Sequence, residues 1–517
     1  MPRTAKNAGG KHQFLEKRNQ MSARAEVKET VGHISNDGNF NMDQVQTSRR
    51  GCFSVRYMLA FILQLCNFSV YTQQMGLSIA IPAMVNTTAP PSSANTSAEG
   101  PPTVSTDNWN ETQQEMTAIA PMYDWSPEIQ GIILSSINYG SFLAPIPSGY
   151  LSGIFGAKYV VGAGIFISSV LSLFTPLAAD TGVALLIAIR IVQGVAQASV
   201  TTGQYSIWIK WAPPLERNKL ITIANSGLHT GGFIVLLTGG VLCQTVGWPY
   251  VFYIFGGVGC FCSFIWFSLI SEKPTNHPFI STAEKEYIES SLAQEDGSPG
   301  WSVPIKAMVK SIPLWAILIC VFCEFWHNHI FMAYLPTYIN SVLQADFKSS
   351  GFLSALTYVA ASVFIILGGQ LADFLLSRKL LKLNTIRKLF TAVGVLFSSP
   401  FLLSLHWVRS SLSTAIALLL LYSIFTSFSG IGVLINIMDI APRYGSFLKG
   451  LTEVFSDMAG AISPAVSGYL LSEDSELGWR NVFFLSTAIN IVGLIFYIIF
   501  GQAEVQDWAR EQTFTRF

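Results

Sequence analysis

Long apolar runs separated by short polar connections fill most of this chain. Twelve such runs can be counted, at about 57–84, 127–153, 159–178, 182–205, 219–243, 247–270, 313–341, 350–376, 388–406, 411–438, 446–471 and 480–501. An apolar helix needs about 20 residues to cross the hydrocarbon core of a bilayer, and the runs that exceed this can tilt. The pattern predicts an all-α membrane protein with twelve transmembrane helices. Residues 1–55 carry no apolar run and are rich in Lys, Asn, Gln and Gly. They read as a disordered tail without a cleavable signal, so the first span must itself direct insertion. Composition agrees: half of the 517 residues are apolar and 12% are charged, against about 25% charged in soluble domains.

The position of the basic residues orients the spans. Ten Lys/Arg precede Tyr57, and none occurs from Tyr57 to Ala157. The loop at 85–126 is therefore expected outside, and both termini and the connections holding Lys210, Arg217, Lys306, Lys310, Arg378, Lys379, Lys382, Arg387 and Arg443 inside. The same loop holds three acceptor sequons, at Asn86, Asn95 and Asn110, as a glycosylated extracellular segment would.

Three local patterns recur in one order. Gly149-Tyr-Leu-Ser-Gly with Lys158 returns as Gly369-Gln-Leu-Ala-Asp with Arg378, Trp211-Ala-Pro-Pro as Ile440-Ala-Pro-Arg, and Gly247-Trp-Pro-Tyr-Val-Phe as Gly478-Trp-Arg-Asn-Val-Phe. Each pair falls at the same connection of two six-span halves, 56–270 and 313–502, joined by a charged linker at 271–312 and followed by a cytoplasmic tail at 503–517. Parallel six-span repeats around a midplane site describe the major facilitator architecture. Asp373 and Arg378 in the second Gly-x-Leu-x-Asp copy, with Asp439 and Arg443 after the tenth span, are expected to gate the cytoplasmic side or to serve as helix-end structure.

One charge stands alone in the fourth span. Arg190 is the single charged residue between Thr181 and Ile209, roughly 14 Å into a helix at 1.5 Å per residue. A guanidinium keeps its proton wherever it is placed, and a charge at that depth costs at least about 2.5–3.5 kcal/mol. It either bonds backbone carbonyls between helices or binds an anion. Gly194, Gln197 and Gln193 lie on its face of the helix, where Gly194 is expected to open room next to the guanidinium and the amides could hold a carboxylate or phosphate, or tie helices together. The first span offers Tyr71 and Gln74 among its polar positions, and the seventh Glu324 and His327. Glu324 could neutralise Arg190, bind a cation or carry a proton. No metal-ligand spacing, phosphate loop, nucleophile elbow or HExxH appears, so neither an enzyme, nor a metal cofactor, nor a nucleic-acid partner is expected.

The stretches Tyr123-Asp-Trp-Ser-Pro-Glu-Ile-Gln-Gly, Arg190-Ile-Val-Gln-Gly, Trp211-Ala-Pro-Pro-Leu-Glu-Arg and Asp439-Ile-Ala-Pro-Arg-Tyr resemble the solute carrier family of organic anion and phosphate transporters, which includes sialin and the vesicular glutamate transporters. The chain is most similar to its type I sodium/phosphate cotransporter branch, intestinal forms in particular. The resemblance implies voltage-driven transport of organic anions, urate included, or sodium-dependent phosphate symport with Na+ as coupling ion. It also marks departures. Glutamate transporters have Arg, His and Arg where this chain has Gln74, Leu134 and Glu324, and the span-4 glutamate linked to proton coupling is Gln197 here. The leading expectation is a potential-driven carrier of small anions anchored by Arg190. Sodium/phosphate symport, with Glu324 helping to hold sodium, is the first alternative, and a non-transporting membrane receptor or scaffold the second. The ending Thr515-Arg516-Phe517 could enter a PDZ groove, as an apical epithelial plasma-membrane protein would use it.

Overall fold

The computed structural model describes residues 54–85, 123–293, 304–408, 411–473 and 475–510. The sequons at Asn86, Asn95 and Asn110, the Thr515-Arg516-Phe517 terminus and the side chain of Arg443 lie outside the described residues.

Within the described residues the chain is helical, with one isolated bridge between Val85 and Tyr123. The first half comprises α1 (Val55–Met84), α2 (Pro127–Leu143), α3 (Pro145–Phe155), α4 (Ala157–Thr181), α5 (Val183–Trp211), α6 (Pro214–Thr245) and α7 (Pro249–Leu269). The linker carries α8 (Thr282–Ala293) and α9 (Ile305–Val309). The second half comprises α10 (Ile312–Ser341), α11 (Phe347–Ser377), α12 (Leu383–Ser404), α13 (Leu412–Ile440), α14 (Gly445–Glu473) and α15 (Ser475–Phe500). Proline opens α2, α3, α6 and α7 at the first position, where its missing N–H has no partner to lose. The run expected as one second span is a bent pair, 55° at the break, because Pro145 and Pro147 interrupt the backbone ladder.

Nine of the described helices are long and apolar enough to cross a membrane, and the bent pair can supply a tenth. The other two long helices, α1 and α14, are the polar ones. Gln64, Asn67, Gln73 and Gln74 lie on the first, and Lys449, Glu453 and Asp457 on the second.

The internal duplication reappears as packing. In the first half α1 packs on α6 and α7, α4 on α5 and α7, and α2 on α5. In the second half α10 packs on α14 and α15, α12 on α13 and α15, and α11 on α13. The halves meet through α2 with α14 and α6 with α11, each contact being the other's counterpart, and through α1 with α10. Glycines make both paired contacts. A Cβ on Gly131 would lie 2.5 Å from the Pro464 carbonyl oxygen and 3.0 Å from Gly468 Cα, and one on Gly351 would lie 2.4 Å from the Leu236 oxygen and 3.0 Å from Gly240 Cα.

These glycines sit toward the end of the bundle from which residues 86–122 depart, here called the loop end. Asn138 Nδ2 donates to the Gly460 oxygen at 3.1 Å, and Lys348 N donates to Gln244 Oε1 at 3.2 Å. Both join the halves at or beyond the middle toward that end. At the opposite, linker end, Tyr205, Lys449 and Glu453 stay partly exposed. The bundle is sealed at the loop end.

The linker is bound to the first half. The Glu284 carboxylate on α8 accepts from the Val55 and Arg56 backbone amides and from Arg56 Nε at 3.0 Å, while Arg56 Nη1 reaches Glu216 at 2.7 Å. Arg56 also lies over the Tyr287 ring, 4.8 Å from its centroid. Below it, Glu272 pairs with Lys210 and accepts from the amides of Ala157 and Lys158 at the start of α4. Burial pushes the Glu272 carboxyl up, but Lys210 and the two amides outweigh it and hold it below the usual carboxylate range.

Candidate functional site

Arg190 lies in the middle of α5 and is 2% exposed. Its acceptors are all neutral. Nη1 donates to the Gln73 carbonyl at 3.3 Å and to Gln193 Oε1 at 3.1 Å, and Nη2 donates to the Gln74 carbonyl at 3.3 Å. Nε has no partner. Among the described residues no carboxylate comes within 4 Å of the guanidinium. The carbonyl dipoles spread the charge but do not cancel it. The structure shows the first of the two readings: the guanidinium rests on the Gln73 and Gln74 carbonyls of α1 and on the Gln193 amide oxygen, with no counter-charge beside it.

The glutamines around it are mostly engaged. Gln193 Nε2 donates to the Ser168 oxygen, and Gln197 Nε2 to Ser168 Oγ at 3.0 Å and the Val70 oxygen. Ser168 Oγ in turn donates to Gln73 Oε1 at 2.6 Å, and Gln73 Nε2 donates to Ser169 Oγ at 2.9 Å. Gln193 and Gln197 thus tie α5 to α4 and α1. The two residues that complete this network, Gln73 and Ser168, are ordinary polar positions in the sequence, and only the packing of α1 against α4 brings them together. Gly194 does not open space beside the guanidinium, as its place in the sequence suggested. A Cβ there would lie 1.9 Å from the Ile137 oxygen, so the residue lets α2 lie against α5.

Tyr71 and Gln74 on α1 are both partly exposed. Tyr71 hydroxyl lies 3.7 Å from Met332 Sδ on α10. His327 is elsewhere. Its Nδ1 meets Asn490 Nδ2 at 2.7 Å, and its ring borders a cavity of about 30 Å³ within the second half, alongside Tyr338, Tyr422, Trp479, Phe483 and Ser486. Glu324 is 4% exposed, pairs with no base among the described residues and does not reach Arg190.

The expected gate residues separate into two environments. Asp373 and Arg378 are both exposed and form no ion pair with each other, and Arg378 lies 5.7 Å over the Phe374 ring instead. Asp439 pairs with Arg387 of α12 at 2.7 Å, and Arg387 Nη1 also donates to the Ile431 oxygen. Sequence reasoning missed Arg387 because its partner lies 52 residues away on the neighbouring helix. Asp439→Asn keeps the shape but strips a largely buried guanidinium of its anion. The melting temperature is expected to fall by about 2–4 °C, with apparent anion affinity unchanged because the pair belongs to the half opposite Arg190. Scanning fluorimetry beside a substrate titration checks both.

The model of the Major Facilitator Superfamily matches residues 63–444. A human protein named "Probable small intestine urate exporter" is 68% identical over 495 residues, covering 96% of this chain and 100% of that protein. A mouse protein named "Sodium-dependent phosphate transport protein 3" is 54% identical over 477 residues, covering 92% and 100%. Among solved structures, a bacterial homologue of the human lysosomal transporter Spinster, inward-facing and occupied, superposes with a TM-score of 0.65 at 15% identity, covering 87% of this chain and 97% of that one.

Proposed function

Because the chain belongs to the Major Facilitator Superfamily, within the solute carrier family of organic anion and phosphate transporters, we propose that it carries organic anions of the urate kind down the membrane potential. The observation that supports this most directly is the unneutralised Arg190 guanidinium between α5 and α1. An anion offers it charge-assisted, bidentate bonds in place of two 3.3 Å bonds to backbone carbonyls. With glutamine at position 197 and no carboxylate within 4 Å of the guanidinium among the described residues, no acid beside Arg190 trades a proton with it, which favours potential as the drive. One charge crossing 100 mV gains about 2.3 kcal/mol, an equilibrium concentration ratio of roughly fifty-fold. In this reading the linker end, with its Lys/Arg-rich connections, faces the cytoplasm at an apical plasma membrane. The Thr515-Arg516-Phe517 terminus is then available to a PDZ scaffold.

Labelled urate uptake into proteoliposomes under a clamped potassium-diffusion potential tests the proposal. Initial rates are expected to rise several-fold when the urate-receiving side is made positive, and rates indifferent to potential would sink it. The sodium/phosphate reading is supported by the 54% identical mouse relative, and predicts phosphate uptake that collapses when choline replaces sodium.

A further inference from the structure

Among the described residues, each half holds an ionisable side chain less than 5% exposed that has no ion-pair partner. The first half has Arg190, and the second has Glu324 on α10. Glu324 is 4% exposed and its Oε2 has no hydrogen-bond partner. A bare carboxylate inside a membrane-spanning bundle costs several kcal/mol unless something neutralises it. The surroundings of Glu324 are built from oxygen. On α13, Ser429 is 2% exposed and its hydroxyl faces the Glu324 carboxylate without a hydrogen bond of normal geometry. Thr426, one turn before it, has a buried hydroxyl that faces Tyr422 without a hydrogen bond of normal geometry, and Tyr422 lies within electrostatic reach of the carboxylate.

These hydroxyls are unusual for their helix. Ser423 and Ser427 on α13 donate to the carbonyls one turn back, of Leu419 and Ser423, at 2.9 and 2.8 Å. That is the ordinary fate of a helical serine in an apolar setting. Ser429 and Thr426 make no such bond. Space beside the carboxylate is kept by Gly430, whose absent Cβ would stand 3.5 Å from Glu324 Oε1.

We propose that Glu324, Ser429, Thr426 and Tyr422 form a sodium site inside the second half. Two carboxylate and three hydroxyl oxygens suit a hard cation, and a single negative charge matches a monovalent one. No group of three His, Cys, Asp or Glu able to hold a metal occurs among the described residues, which argues against a divalent or transition metal. The site goes beyond the anion reading. Sodium on Glu324 and an anion on Arg190 would neutralise these two buried charges together, so that cation occupancy alters anion flux.

Direct binding tests this without relying on transport. Purified full-length protein in nanodiscs is titrated with ²²Na+ at constant ionic strength, with choline as the balancing cation. Saturable binding of one sodium is expected. Glu324→Gln, which keeps the side-chain shape, should lower it at least tenfold, and Ser429→Ala should weaken it by about 3- to 10-fold. Arg190→Ala should keep ²²Na+ binding while losing urate flux, so failure of the anion reading and failure of the sodium site are told apart. If Glu324→Gln does not fold, Ser429→Ala carries the test. Three results overturn the proposal: no saturable ²²Na+ binding to the wild type, binding unaffected by either substitution, or anion flux driven by a pH gradient without sodium and lost in Glu324→Gln. The last would mean that the carboxylate carries a proton.

Discussion

Arg190→Ala is expected to lower urate flux at least a hundredfold at equal surface expression. The guanidinium is the one cation among the described residues of α5 upstream of Lys210, and it presents Nη1 and Nη2 toward α1 from a fixed, buried position. Hydrogen bonds to a charged group contribute about 1.5–3 kcal/mol each, so losing two corresponds to roughly two to four powers of ten in binding. The cost to folding should be small by comparison. The carbonyls of Gln73 and Gln74 belong to the interior of α1 and keep their helical donors, while Gln193 retains its bond to Ser168. Arg190→Lys separates charge from shape. Lysine restores the positive charge but offers a point donor in place of a planar fork, so roughly a tenfold loss is expected, mainly as a raised KM. Flux within threefold of wild type in Arg190→Ala would remove Arg190 from the substrate path.

Much of this architecture can be read in the sequence, for one physical reason. A helix that spans a bilayer must be apolar over most of its length, so most of the runs and their connections stand out without any knowledge of packing, α1 and α14 being the more polar two. The same constraint makes Arg190 conspicuous. Gln193, three residues on, is legible as its neighbour, but its acceptors on other helices are not. The network through Gln73 and Ser168 depends on how α1 and α4 rotate about their axes, and apolar runs of this kind carry almost no periodicity to fix a rotation. The role of Gly194 was misread for the same reason, because a glycine beside a charge looks like room until the neighbouring backbone fills it. His327 and Glu324 share a helix turn, yet one borders a cavity with Tyr422 and Trp479 while the other faces Ser429. Asp439 is visible in the sequence as a charged helix end and a candidate gate, but nothing there names its partner. The actual partner, Arg387, comes from the helix paired with it by the fold.

Gly351→Leu and Gly131→Leu are each expected to lower flux more than tenfold by holding the loop end apart. At Gly351 a Cβ would lie 2.4 Å from the Leu236 oxygen, and at Gly131 2.5 Å from the Pro464 oxygen. Both obstacles are backbone atoms, so no side chain can swing aside, and the helix pairs α6–α11 and α2–α14 must separate. Overpacking of this kind costs typically 1–3 kcal/mol, enough to shift an equilibrium between two arrangements of the halves by about 5- to 150-fold. The packing within each half is untouched, so the protein should still fold. Gly257→Ala is the control, since nothing lies within 4 Å of a Cβ at that position. The readout is a disulfide between Gln244→Cys and Lys348→Cys, placed where the Lys348 amide now donates to the Gln244 side chain at 3.2 Å. The disulfide should form readily in the parent and in Gly257→Ala, and form several-fold more slowly in Gly351→Leu. Equal cross-linking in all three, with flux still lost, would show that these glycines serve something other than closure of the loop end.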